Sequence, residues 1–249
     1  MEDKNTNRPE KLEAGDVQVK NKFTLWFENF WYHYKLQTIA FLFVITVLTV
    51  CFWQCTEREV GDVTVTFAGS YTLVNEEKQA FVEVLNAVSP KDEKTGEPIS
   101  VVMTTYSVYD EETLRSMYYD EDGNFDEVAY QNAKGFNTEH LKNFGTYLMT
   151  GESAVLFIND FVFDYQNMEK VAMPLSSLYG ENLPASACND YAIRLGDTDF
   201  YKYYKAVQVL PEDTMIVLVR SYVWGASADE ETYALFEDLF RSIVDFKMP

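Results

Sequence analysis

Residues 63–71, VTVTFAGSY, decide how the chain folds. Val63, Val65 and Phe67 alternate with Thr64 and Thr66, which is the period of a strand, and Ala68-Gly69-Ser70-Tyr71 supplies a loop to end it. Beyond that loop, Asn75 stands where a helix cap belongs, with Glu76 and Glu77 in the first turn. Ala80, Phe81, Val84, Leu85 and Val88 then recur at helical spacing until Ser89-Pro90 stops them. A polar turn over 91–98 leads into a second strand at 99–104. Strand, helix, strand with a single helix between is the unit of a parallel sheet.

The same pattern extends towards the C-terminus. Residues 110–135 are acidic and rich in turn formers, so they are expected to leave the sheet, with a hairpin around Asp120-Glu121-Asp122-Gly123-Asn124. Asn137 is expected to cap a helix that ends at Gly151. The runs AVLFI at 154–158 and MIVLV at 215–219 are wholly apolar, as strands covered on both faces are. Residues 191–204 predict a strand broken at Gly196 and followed by a short helix. Ser227-Ala228-Asp229-Glu230 has the spacing of a capping box, ahead of a helix that presents Leu235, Leu239, Ile243 and Phe246 on one side. The expectation is one α/β domain over residues 57–249, a mostly parallel sheet flanked by helices in three layers.

Ahead of this domain lies NFWYHYKLQTIAFLFVITVLTVCFWQC, residues 29–55. Between 36 and 53 the non-apolar side chains are Gln37, Thr38, Thr46 and Thr49, none of them charged. Eighteen residues rise about 27 Å as a helix, close to the thickness of a bilayer's hydrocarbon. Trp26, Trp31, Tyr32 and Tyr34 precede the run and Trp53 closes it, in the manner of interfacial aromatic belts. Residues 36–54 are therefore expected to be a transmembrane helix. Lys20, Lys22 and Lys35 before it, against Arg58 after it, put residues 1–35 in the cytoplasm as a tail, disordered and then interfacial. The C-terminal domain is then outside. A cleaved signal would need a shorter basic region and a small-x-small site, and Val50 and Gln54 before Cys51 and Cys55 do not suit lipidation.

Composition narrows the partners. Residues 1–55 hold equal numbers of acidic and basic side chains, so the whole net charge of −20 belongs to residues 56–249. A domain that acidic repels phosphate backbones, which excludes nucleic acid. Cys188 is alone in the domain and can form no internal disulfide, so the fold rests on packing.

Little of the sequence suggests catalysis. The two histidines, His33 in the aromatic belt and His140 beside Glu139, lack the nucleophile elbow, phosphate loop or zinc helix that would give them a role. No catalytic residue, metal or cofactor is assigned. Asp120, Asp122 and Asp126 resemble a calcium loop around Gly123, but EF-hand register puts Tyr118 and Ala129 at two ligand positions, so a solvated turn is expected. In open α/β sheets ligands bind beyond the carboxyl ends of the strands. That rule selects Ser70, Tyr71, Tyr106, Asn159, Asp160, Tyr222 and Trp224 as candidate ligand-binding residues, provided that Tyr71, Tyr106, Asp160 and Trp224 converge on one cleft. Arg194 is a further candidate; its first expected task is to pair with Asp197 or Asp199 across the Gly196 turn.

Several segments, among them NFWYHYK, TYLMTGESAVLFIND, RLGDTDFYKYYKAVQVLPEDT and RSIVDF, resemble uncharacterised single-pass membrane proteins of Gram-positive, Clostridia-like bacteria. That resemblance implies localisation and carries no activity. The helix ending in Thr150-Gly151-Glu152 and running into 154–160 more distantly resembles extracellular solute-binding proteins, which implies one lobe of a periplasmic-binding-protein-like fold. The expected function is non-enzymatic binding of a small polar ligand or peptide. The alternative is an accessory or scaffold subunit whose partner is another membrane protein.

Overall fold

The computed structural model describes residues 21–56, 61–91, 96–220 and 225–249, the side chains of 54–56 excepted. The chain divides into two units, residues 1–58 and 59–249. In the first, the aromatic segment and the apolar run form one unbroken helix of 35 residues, α1 (Lys22–Thr56). Neither Gly nor Pro interrupts the passage from one to the other, so the aromatic stretch continues the helix. Phe30 lies against Trp26 and Tyr34, one turn to either side, at ring distances of 5.6 and 5.4 Å. Thr46 and Thr49 donate their hydroxyls to the carbonyls of Leu42 and Ile45 at 2.9 and 2.8 Å, which leaves no side-chain donor to lipid there. Among the described residues this is the one helix long and apolar enough to cross a membrane, and its aliphatic side chains are exposed. Of the first 22 residues, expected to be disordered, 1–20 lie outside the described residues and Lys22 already opens α1.

The second unit is built on five strands: β1 (Val63–Gly69), β2 (Val101–Ser107), β3 (Val155–Ile158), β4 (Ala192–Arg194) and β5 (Met215–Leu218). Their order across the sheet is β2-β1-β3-β5-β4. β1 pairs in parallel with β2 and β3, whereas β5 runs antiparallel to both β3 and β4. The sheet is therefore mixed, which corrects the mostly parallel expectation. The apolar run MIVLV shows that β5 is covered on both faces and says nothing of its direction. Direction is set by the connection. From β4 the chain makes a short helix, α7 (Asp199–Tyr203), and 3₁₀ turns, and it re-enters the sheet beside the end it left, Leu195 N–H bonding to the Thr214 carbonyl at 2.8 Å, so β5 runs back along β4.

Helices cover both faces. Val63, Val65 and Phe67 pack with Phe81 and Leu85 of α2 (Asn75–Val88) and with Phe236, Leu239, Phe240 and Ile243 of α8 (Glu230–Val244). On the other face Ala68, Leu156 and Ile158 meet Leu141, Phe144 and Leu148 of α4 (Glu127–Thr150) and Val162 of α5 (Asp160–Tyr165). Each fully buried Leu or Phe contributes on the order of 1.5–3 kcal/mol by leaving water. Thr66, wholly buried on the α4 face, is the exception, because its hydroxyl finds no partner.

Several local expectations shift for identifiable reasons. α4 begins ten residues before Asn137, at Glu127, behind Asp126, whose carboxylate caps the Ala129 N–H at 2.9 Å. Asn137 instead faces the backbone of Tyr109 from mid-helix, accepting its N–H at 2.9 Å and donating to its carbonyl at 2.7 Å. α2 is capped from behind, by Glu77 accepting the N–H of Val74, and α8 by Asp229 accepting from Thr232. The acidic excursion contains a short helix, α3 (Glu111–Ser116), and then the expected hairpin, closed by a Tyr119–Phe125 bridge with Gly123 at φ +81°. Gly151 does end α4, in the left-handed conformation at φ +69°.

Candidate functional site

The sheet order contains a reversal. From β1 the chain crosses to β2 on one side, and it later returns to β3 on the other side of β1. The loop after β1 leads to α2 on one face of the sheet, and the loop after β3 leads to α5 on the opposite face. The two loops part, and a crevice opens between the carboxyl ends of β1 and β3.

A cavity of about 290 Å³ fills that crevice, lined among others by Ser70, Asn159, Asp160, Asp110, Thr113 and Asp213. Asn159 ties the two loops together. Its Nδ2 donates to Ser70 Oγ at 2.9 Å while its Oδ1 caps α5 through the Val162 N–H at 2.9 Å. Ser70 in turn donates to the Val108 carbonyl at 3.3 Å. The floor is thus polar and fixed, with both the serine hydroxyl and the asparagine amide already oriented.

The walls are acidic. Asp110 caps α3, accepting from the Thr113 N–H at 2.8 Å and from the Thr113 hydroxyl at 2.5 Å. Burial works against ionisation of Asp110, but these hydrogen bonds outweigh it and hold the carboxyl below its usual range. Arg194, at the carboxyl end of β4, donates to the Asp213 carbonyl at 2.9 Å and lies 3.6 Å from the Asp160 carboxylate. It does not pair with Asp197 or Asp199, because Gly196 turns back onto Glu212, where its N–H meets the carbonyl at 3.0 Å. The guanidinium stands instead at the lip of the crevice. Asp160 remains open to solvent, its side chain 64% exposed.

Ser70, Asn159 and Asp160 therefore come together, with Arg194 beside them. Tyr71 does not join them: it packs with the α2 face and donates to Glu77 at 2.8 Å, a bond that pushes its pKa up. Tyr106 belongs to the other face, against Phe144 and Tyr147 at 5.5 and 5.9 Å, and burial raises its pKa. Both rings cap the two cores, so the four-residue convergence is not met. Tyr222 and Trp224 lie outside the described residues.

Sequence reading missed Asp110, Thr113, Asp213 and Thr214. The first pair carried a signal, the D-x-x-T spacing of a helix cap. The second pair precedes an antiparallel strand and reaches this edge only because β5 runs backwards.

Elsewhere, Asp120 spends its carboxylate on its own turn, accepting from the backbone and side-chain amides of Asn124 at 2.7 and 3.0 Å, which lowers its pKa. Among the described residues no group of three or more His, Cys, Asp or Glu is arranged to hold a metal. Comparison of the chain with protein-family models, curated proteins and solved structures finds no match.

Proposed function

We propose that this protein is a membrane-anchored, non-enzymatic binding protein that takes a small polar ligand in the crevice between β1 and β3. One observation carries the reading: the cavity sits where the strand order reverses, with Ser70 and Asn159 bonded across it. Binding is favoured over catalysis because the Ser70 hydroxyl both donates and accepts within the protein and so lacks the free base that nucleophilic attack requires. The volume suits a molecule near the small end of the usual ligand range. Three carboxylates against one guanidinium favour a neutral or cationic ligand over an anion.

The wider placement follows the expectations above: α1 spans the membrane of a Gram-positive cell, the N-terminus is cytoplasmic, and the solute-binding-like domain is outside. Native mass spectrometry of the full-length protein, extracted from its own membrane, tests the binding reading. A small adduct on the wild type that is lost from Asp160→Asn is expected. A protein free of adduct, or an adduct indifferent to Asp160, would overturn it.

A further inference from the structure

The two lateral edges of the sheet are treated differently. At one, β4 is covered by the chain itself: Arg194 N–H bonds to the Ser186 carbonyl at 2.7 Å and Cys188 N–H to the Ala192 carbonyl at 3.0 Å. At the other, β2 is a seven-residue edge strand, VVMTTYS, without charge, proline or bulge. Unprotected edges of this kind invite another strand, and proteins normally blunt them.

The register shows which groups are open. Val63 N–H bonds to the Ser100 carbonyl at 3.2 Å and Val108 N–H to the Gly69 carbonyl at 3.0 Å, so the even-numbered residues of β2 face β1. Alternation then turns Val101, Met103, Thr105 and Ser107 outward. The ends of this outward row are satisfied, Val101 N–H by Asn86 Oδ1 at 2.7 Å and the Ser107 carbonyl by His140 Nδ1 at 3.1 Å. Between those bookends the N–H groups of Met103 and Thr105 meet no partner among the described residues, although Met103 is only 3% exposed, with its side chain in the core, and Thr105 is half-buried. Alongside the start of the strand, α2 and β2 enclose a groove of about 550 Å³, with Val82, Val101 and Val102 as apolar surface and Lys78, Gln79 and Glu83 among its polar lining.

We propose that the free edge of β2 is a docking site for an extended, cationic segment of a partner polypeptide, added as a further strand beside α2. Backbone groups of Met103 and Thr105 supply the ladder, and the groove receives alternate side chains. The groove itself balances Lys78 with Glu83, so the long-range field selects the occupant: the net −20 carried by residues 56–249 attracts a basic segment and sets a second copy of the domain against itself.

The test uses full-length protein in detergent and a capped octapeptide alternating lysine and valine. Binding should slow hydrogen exchange at the Met103 and Thr105 amides by about tenfold, a difference of roughly 1.4 kcal/mol. The same peptide N-methylated along one edge, or with glutamate in place of lysine, should bind at least about tenfold more weakly. Thr105→Pro removes only an outward N–H, so it should keep the fold and abolish the protection; should it unfold, the N-methylated peptide alone decides. Protection elsewhere, equal binding of the glutamate peptide, or binding unchanged in a folded Thr105→Pro would overturn the proposal. Concentration-dependent protection of Met103 and Thr105 without peptide would replace the partner by a second copy and overturn it as well.

Discussion

Two polar clusters meet at the short helix α3, built from similar side chains and finished differently. Towards α4, Glu111 accepts from the Tyr130 hydroxyl and pairs with Lys134 at 2.8 Å, and Lys134 followed by Tyr130 holds its carboxyl below the usual range. Arg115 covers the Phe125 ring at 4.4 Å beside Tyr130, a residue only 2% exposed. Every member of that cluster is spoken for. Towards the crevice, Asp110, Ser70 and Asn159 are oriented by the backbone, while Asp160 keeps an open carboxylate beside Arg194. A saturated cluster stiffens a fold, and one with unfilled valences has something left to offer a ligand.

Mutation should separate the two. The largest effect is expected from Tyr130→Ala, which empties a buried aromatic site and should lower the melting temperature by on the order of 10 °C. Asp160→Asn should stay within about 2 °C of wild type. A large loss from Asp160→Asn, read in the same thermal scan, would make the crevice structural too and dissolve the contrast. Next comes Asn137→Ala, which strips both backbone groups of Tyr109 of their partner and should cost about 1–3 kcal/mol in urea unfolding.

Acid offers a subtler probe. The Asp110 carboxyl is depressed in the folded state, so its contribution is present above the unfolded carboxylate value near about 4 and is lost as pH falls through the folded value. Stability of Asp110→Asn should therefore fall less steeply in that window than wild type, and parallel curves would show that Thr113 does not hold the charge. The smallest change expected is a gain: Thr66→Val removes a buried hydroxyl without a partner and should stabilise by about 1 kcal/mol, measured by urea midpoint.

Much of the fold was legible because hydrophobic period reports burial, and burial fixes strands and helix faces. VTVTF, AVLFI and MIVLV all became strands, and Phe81 and Leu85 face the core as their spacing required. Direction was not legible, since an apolar strand reads alike both ways, and that single unknown hid Asp213 and Thr214. Caps were legible in kind and shifted in place. Asp126, Glu77 and Asp229 each took a role that nearby Asn137, Asn75 and Ser227 matched equally well on residue type. Of the site, Ser70, Asn159 and Asp160 followed from the strand-end rule, whereas Tyr71 and Tyr106, chosen by the same rule, had apolar rings to bury and joined the two cores.

The unbroken course of α1 has a mechanical corollary. At about 1.5 Å per residue its length is roughly 52 Å, against about 30 Å of hydrocarbon in a bilayer. Set in a membrane, some of the rod must stand in the headgroups and beyond, and without a glycine or proline joint its aromatic end cannot pivot independently. Any rocking of the span would sweep Trp26, Phe30 and Tyr34 through the interface like the short arm of a lever.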